Sequence, residues 1–109
     1  MNLQPVTLVA ALTLALPAAA RADAPAQWNT LCASCHGKDG AGHTRAGHLL
    51  GVKDLTSADY QKSFTDDAAF ADIKNGLKKD GRVKMKPFSD RLSDADIRAL
   101  IAYVRSLAH

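Results

Sequence analysis

Residues 32–36 read Cys32-Ala33-Ser34-Cys35-His36, which is the strongest chemical signal in the chain. Two thiols separated by two residues and followed directly by an imidazole form the pattern of c-type haem attachment. The thiols can form thioethers with the two vinyl groups of one macrocycle, which leaves His36 beneath the iron. The pattern therefore predicts one covalent haem c on Cys32 and Cys35, with His36 as an axial iron ligand.

Two other uses of the cysteine pair are open alternatives. A thioredoxin-like redox pair follows a strand in a βαβ unit, and no segment of this chain alternates convincingly as a strand does. A structural zinc site needs four ligands, and Cys32 and Cys35 are the only cysteines. We therefore expect haem attachment.

The amino-terminal stretch predicts export. Residues 3–20 are apolar and rich in Leu, Val and Ala, and Ala20-Arg21-Ala22 has the small-x-small form of a signal-peptidase site. No Lys or Arg precedes the apolar run, so an uncleaved membrane anchor is the alternative. We expect a signal peptide at residues 1–22, a mature domain at residues 23–109 and a periplasmic location.

Size and charge narrow the class of protein. The 109 residues are enough for one domain, and a formal net charge of +3 is too small for a general nucleic-acid binder. Domains of this size often need a disulfide, a metal or a cofactor to complete their core. A bound haem would supply that missing apolar surface.

Met85 is the candidate for the second axial ligand. It lies in Lys84-Met85-Lys86-Pro87-Phe88, and the only other methionine is Met1. Ligation by Met and His raises the reduction potential of a haem. An iron with both axial positions filled has no open site for catalysis, so we expect no enzymatic activity.

Other side chains could compete for the iron. The histidines His43 and His48 are expected to be solvated loop residues, and His109, the last residue, is expected to fray. At alkaline pH we expect Lys84 or Lys86 to replace Met85, because both are its immediate neighbours.

Helix-start signals predict an all-α domain of three to four short helices joined by long loops. The predicted starts are Asp23-Ala24-Pro25, Thr56-Ser57-Ala58-Asp59, Thr65-Asp66-Asp67 and Ser93-Asp94-Ala95-Asp96. Apolar residues recur at helical spacing in the last helix, at Ile97, Leu100, Ile101, Val104 and Leu107. Five glycines between residues 37 and 51 predict a loop there, and residues 77–92 are also predicted to be a loop.

With these features in place, the sequence resembles the class I cytochromes c over residues 25–108. The matching pieces are Cys32 to Gly37, Gly47…Leu50-Gly51, Asn75-Gly76, Met85-Lys86-Pro87-Phe88 and Leu100-Ile101-Ala102-Tyr103-Val104-Arg105. The resemblance implies a cytochrome c fold wrapped around one covalent haem. It also implies that the first and last helices cross, so that Trp28 packs against Leu100 and Tyr103.

One piece departs from the family's pattern. The family often has Gly-Pro where this chain has Gly47-His48, and a backbone carbonyl there accepts the N–H of the proximal histidine. Such an acceptor orients the ligand and raises its basicity. We expect the His48 carbonyl to serve His36 in this way, which argues against His48 as the sixth ligand.

Cations precede and surround Met85, at Lys74, Lys78, Lys79, Arg82, Lys84 and Lys86. A patch of one sign beside a redox group steers partners, and redox encounters are transient and salt-sensitive. We therefore expect a redox partner with an acidic docking surface. We expect this protein to be a free one-electron shuttle, and the alternative is a haem subunit docked permanently to a dehydrogenase or reductase. An ordinary solvated loop is the alternative reading of the cations.

Overall fold

The computed structural model describes residues 1–13 and 23–109. Residues 1–13 are exposed and form neither helix nor strand. The predicted cleavage pattern Ala20-Arg21-Ala22 lies outside the described residues. Within the described ranges, no helix is long and apolar enough to cross a membrane.

Short helices and one hairpin make up residues 23–109. The α-helices are α1 (Ala24–Gln27), α2 (Ala33–His36), α3 (Arg45–Leu50), α4 (Ala58–Gln61), α5 (Asp66–Asn75) and α6 (Asp94–Ser106). A π-helical segment, Trp28–Cys32, joins α1 to α2. Strands β1 (Leu77–Lys79) and β2 (Arg82–Met85) pair antiparallel. The domain is mainly helical, as predicted.

Local capping explains where three of these helices begin. Ser57, Thr65 and Ser93 each accept a hydrogen bond from the backbone N–H three residues later. Ser93 forms a complete capping box, because the Asp96 carboxylate also accepts from the Ser93 backbone N–H at 3.1 Å. These caps lie within the predicted starts of α4, α5 and α6.

Two segments predicted to be loops contain regular structure. Helix α3 begins after the Thr44 cap and ends at Gly51, which takes a left-handed conformation with φ of 69°. Strands β1 and β2 are joined by Asp80 and Gly81, with φ of 52° and 74°. A two-residue turn with positive φ at both positions matches the twist of a hairpin. The loop predictions are therefore wrong for residues 45–50 and for the first half of residues 77–92.

The core lies between α6 and the amino-terminal helical segment. Trp28 is 2% exposed, and its ring centroid lies 5.6 Å from that of Tyr103. Leu100 belongs to the same buried cluster, in which Ile97 is completely inaccessible. The predicted packing of Trp28 against α6 is confirmed. This packing fixes the segment that carries the two cysteines.

Candidate haem site

The motif residues lie on the π-helical segment and α2, which Gly37 ends with φ of 81°. The Thr44 hydroxyl donates to the Cys35 carbonyl at 2.7 Å and accepts from the Gly47 backbone N–H at 2.8 Å. A Cβ atom at Gly47 would collide with the Cys35 carbonyl oxygen. Thr44 and Gly47 thus join the start of α3 closely to the backbone of the motif.

His36 packs beside Trp28, with 5.6 Å between their ring centroids. The Trp28 indole N–H donates to the carbonyls of Gly37 and Lys38 at 3.1 and 3.2 Å, which holds the turn after His36. Burial lowers the pKa of His36. The imidazole is therefore neutral at neutral pH, the form in which histidine binds metal ions.

The expected hydrogen bond between His36 and the His48 carbonyl is absent from this structure. His36 Nδ1 is buried and has no hydrogen-bond partner among the described residues. The His48 carbonyl instead accepts from the Gly51 backbone N–H at 3.4 Å, and the Gly47 carbonyl accepts from Val52 at 2.9 Å. The expected bond to His36 is therefore not made in this structure, in which both carbonyls accept from backbone N–H groups at the end of α3.

The thiols of Cys32 and Cys35 are half-buried and are not joined as a disulfide. Burial raises the pKa of the Cys32 thiol to about 11, with a smaller contribution from Cys35. Cysteines of thioredoxin-like pairs react through a lowered pKa, so this environment argues against that alternative. Within residues 1–13 and 23–109, no group of three or more His, Cys or acidic side chains suits a metal ion, so nothing there completes a zinc site.

A cavity of about 820 Å³ opens beside the motif and is lined by all four predicted site residues, Cys32, Cys35, His36 and Met85. This volume is typical of ligand and cofactor pockets. A deeper cavity of about 150 Å³ shares Cys32, His36 and Met85 and extends to the core residues Leu100 and Ile101. Two thiols, a neutral imidazole and a thioether around an apolar cavity are a set of groups that fits a haem c.

Met85 is the last residue of β2, and its backbone is closely confined. A Cβ atom at Gly76, directly after α5, would lie 2.6 Å from the Met85 carbonyl oxygen. Farther along, the Phe88 backbone N–H donates to the Ile73 carbonyl at 3.0 Å. These contacts hold the hairpin and the residues after it against α5, with Met85 in the cavity wall.

The three other histidines are all exposed. His48 lines the larger cavity, whereas His43 and His109 line neither cavity. The His109 backbone N–H donates to the Thr56 carbonyl at 3.0 Å, so in this structure the last residue contacts the segment before α4.

Several cations lie at the mouth of the larger cavity. Lys79, Lys84 and Lys86 line it, as does Lys53, which was not among the cations singled out in the sequence. Lys74 does not, and its ammonium pairs with Asp94 at 3.1 Å. The lining also includes apolar residues that are exposed, Leu49 at 72% and Val83 at 53%.

Three further residues of the deeper cavity were not anticipated: Tyr60, Phe64 and Asp72. Tyr60 and Phe64 pack with 5.5 Å between their ring centroids. They lie at and after the end of α4, where a four-residue helix gives too short a hydrophobic pattern to predict which face is buried.

Comparison with known protein families and solved structures identifies the family of this chain. The cytochrome c family model matches residues 22–108. No curated protein sequence matches significantly. Among solved structures, the c-type cytochrome KustC0563 superposes with a TM-score of 0.69 and 27% identity, over 80% of this chain and 99% of that chain. A tyrosine-to-phenylalanine mutant of Kustc0563 also has a TM-score of 0.69, with 28% identity over 78% of this chain and 98% of its own.

The family match covers all but the last residue of the described domain and includes the cysteine motif. Members of this family bind haem c covalently and are typically electron carriers rather than enzymes. The chain belongs to the cytochrome c family and is a haem-based electron-transfer protein.

Proposed function

We propose that this protein is a periplasmic shuttle that carries one electron at a time on a haem c ligated by His36 and Met85 and bound through Cys32 and Cys35. One observation carries the proposal: both ligand candidates and both thiols line the same cavity. A bound haem c supplies an iron that cycles between Fe(III) and Fe(II). Export is supported by the apolar stretch at residues 3–20 and is typical of the family.

The chain's own residues adapt the site to electron transfer. Burial keeps the His36 imidazole neutral, and the thioether of Met85 is a soft, neutral ligand that favours ferrous iron. Leu100, Ile101 and their neighbours form an apolar wall that offers no polar side chain of its own. If His36 and Met85 both hold the iron of a bound haem, no ligand position is left for a substrate, which favours transfer over catalysis.

The ligand assignment is tested by optical spectroscopy. The oxidised protein at neutral pH should show the weak far-red absorption band of methionine bound to ferric iron. Met85→Leu, which roughly conserves volume, should abolish the band, and His48→Ala should retain it. A native protein without this band at neutral pH would overturn the assignment of Met85. If Lys84 or Lys86 replaces Met85 at alkaline pH, the native band should disappear there.

The cations at the cavity mouth support a partner with an acidic docking surface. We call Lys53, Lys79, Lys84 and Lys86 the rim cations. They share the lining of the cavity with the exposed apolar residues Leu49 and Val83, so charge would guide the encounter and apolar contact would complete it. Lys78 and Arg82 lie on the same hairpin and extend the positive surface.

Electron exchange with the physiological partner tests this surface. Lys79→Glu should slow the second-order rate markedly at low salt, and the native rate should fall as salt rises. Lys62→Glu is the matched control, because Lys62 is exposed, lines neither cavity and undergoes the same change of charge. Equal effects of the two substitutions, or a native rate that does not change with salt, would contradict steering by the rim cations.

Location and assembly need separate measurements. We expect the mature protein in the periplasmic fraction, with a mass corresponding to a chain that begins at Asp23. An intact chain in the membrane fraction would instead indicate a retained anchor. A free shuttle purifies alone, whereas a stable dehydrogenase or reductase partner that purifies with it would indicate a subunit of a larger complex.

A further inference from the structure

The acidic residues of α5 have different surroundings. Asp66 pairs with Arg105 at 2.9 Å, and Asp67 pairs with Arg98 at 3.1 Å, so both carboxylates are neutralised by arginines of α6. Asp72, one and a half turns farther along the helix, lines the deeper cavity instead.

Asp72 lines a cavity that it shares with the predicted iron ligands. His36 and Met85 line the same cavity as Asp72, and its helix neighbours there are the apolar Ala69 and Ile73. Of the residues that the structure describes, Asp72 is the only acidic one in the lining of either cavity. Within residues 1–13 and 23–109, no cation forms a salt bridge with it.

A purely structural role does not account for this position. Asp72 is half-buried, and loss of solvation raises the pKa of its carboxyl group. An apolar residue at position 72, beside Ala69 and Ile73, would avoid the free-energy cost of burying a carboxylate. Within the described residues, the Asp72 side chain makes no hydrogen bond that would repay this cost. A carboxylate that lines the predicted cofactor cavity and has no ion pair among the described residues is therefore a candidate for a role in the site.

We propose that Asp72 helps to set the reduction potential of the haem, by placing a negative charge on the wall of its cavity. This inference rests on the proposed function as a haem electron carrier. Oxidised iron carries one more positive charge than reduced iron, so a nearby carboxylate favours the oxidised form and lowers the potential. Because Asp72 is half-buried, salt screens this interaction less than it screens a surface charge.

The test is a potentiometric titration of the purified holoprotein at neutral pH. Asp72→Asn removes the charge at similar volume and should raise the ratio of reduced to oxidised protein between about threefold and tenfold at a given ambient potential. A tenfold change corresponds to about 59 mV for a one-electron couple. Asp72→Glu keeps the charge and should stay near the native potential.

Asp67→Asn is the matched control. It removes the same charge from the same helix, at a side chain that is 90% exposed and lines neither cavity. Its effect on the potential should be much smaller and should vanish at high salt, whereas the effect of Asp72→Asn should persist.

Three results would overturn the inference: an unchanged or lowered potential in Asp72→Asn, a shift no larger than that of Asp67→Asn, or an equal shift in Asp72→Glu. If Asp72→Asn does not assemble with haem, Asp72→Ala provides the same comparison. The optical spectrum keeps this test separate from the proposed function. A native protein without the far-red band refutes the assignment of Met85, whereas an intact band with an unchanged potential refutes only the role of Asp72.

Discussion

Gln61 offers a quantitative test of how the cavity wall is held to α6. The residue is 7% exposed, and its Nε2 donates to the carbonyls of Leu55 and Val104 at 2.7 and 2.8 Å. Its Oε1 accepts from Arg105 at 3.0 Å. One buried amide therefore connects the segment before α4 to the last helix. We predict that Gln61→Ala lowers the free energy of unfolding by about 3 kcal/mol.

The magnitude depends on the hydrogen bonds that each partner retains. The Leu55 carbonyl would lose a buried donor, at a cost of about 2 kcal/mol. The Val104 carbonyl still accepts from the Leu107 backbone N–H at 3.1 Å, so its loss is smaller. In the variant, Arg105 keeps its hydrogen bonds to the Asp66 carboxylate at 2.9 Å and to the Phe64 carbonyl at 2.8 Å. Together these smaller losses and the space left by the side chain add about 1 kcal/mol.

Denaturant unfolding of the oxidised holoprotein measures this difference. Gln61→Met keeps most of the volume but removes the hydrogen bonds, so it should be destabilised nearly as much as Gln61→Ala. Ser63→Ala, at an exposed neighbouring site, should change the free energy of unfolding by less than about 0.5 kcal/mol. A loss of unfolding free energy in Gln61→Ala that is no larger than in Ser63→Ala would refute a structural role for the buried amide. If Gln61→Met is as stable as the native protein, the loss in Gln61→Ala comes from the missing side-chain volume and not from the hydrogen bonds.

Three further predictions concern stability. Gly47→Ala should lower the free energy of unfolding, measured with denaturant, by about 2 kcal/mol, because the added Cβ would collide with the motif backbone. Gly81 lies in open space but at positive φ, so Gly81→Ala should lower the free energy of unfolding by only about 1 kcal/mol. Ser93→Ala should lower the free energy of unfolding by about 1 kcal/mol, because α6 loses its cap. Thermal unfolding measures this change, and an unchanged midpoint temperature would contradict it. Hydrogen bonds from Thr56 lower the pKa of Asp54 in the folded protein. The Asp54 carboxylate therefore stabilises the fold fully above its unfolded pKa of about 3.9. This stabilisation is lost as the pH falls through the lower pKa of the folded state. Asp54→Asn should therefore lose stability near neutral pH, and the difference should close in acid; a constant difference would contradict the linkage.

Local signals predicted the helix starts well, because a cap involves residues only three positions apart. Ser57, Thr65 and Ser93 have the side-chain oxygen that an exposed backbone N–H needs, whatever the rest of the fold does. The same reasoning failed for α3. Its glycines were interpreted as helix breakers, but Gly47 permits a close approach to Cys35 and Gly51 ends the helix.

The hairpin was missed for a related reason. Its strands are three and four residues long and are dominated by lysines and an arginine, so neither shows the apolar alternation that predicts a strand. Asp80-Gly81 was the available signal, because this dipeptide suits a tight hairpin turn.

By itself, the sequence predicted a covalent haem c and named Cys32 and Cys35 as its attachment points, because both thiols and His36 lie within five consecutive residues. It also singled out Met85, although not its surroundings. Only the tertiary structure decided that Met85 shares a cavity with His36 and that Asp72 lies in the same wall. These features depend on contacts between residues far apart in the chain, and such contacts leave no periodic or local trace in a single sequence.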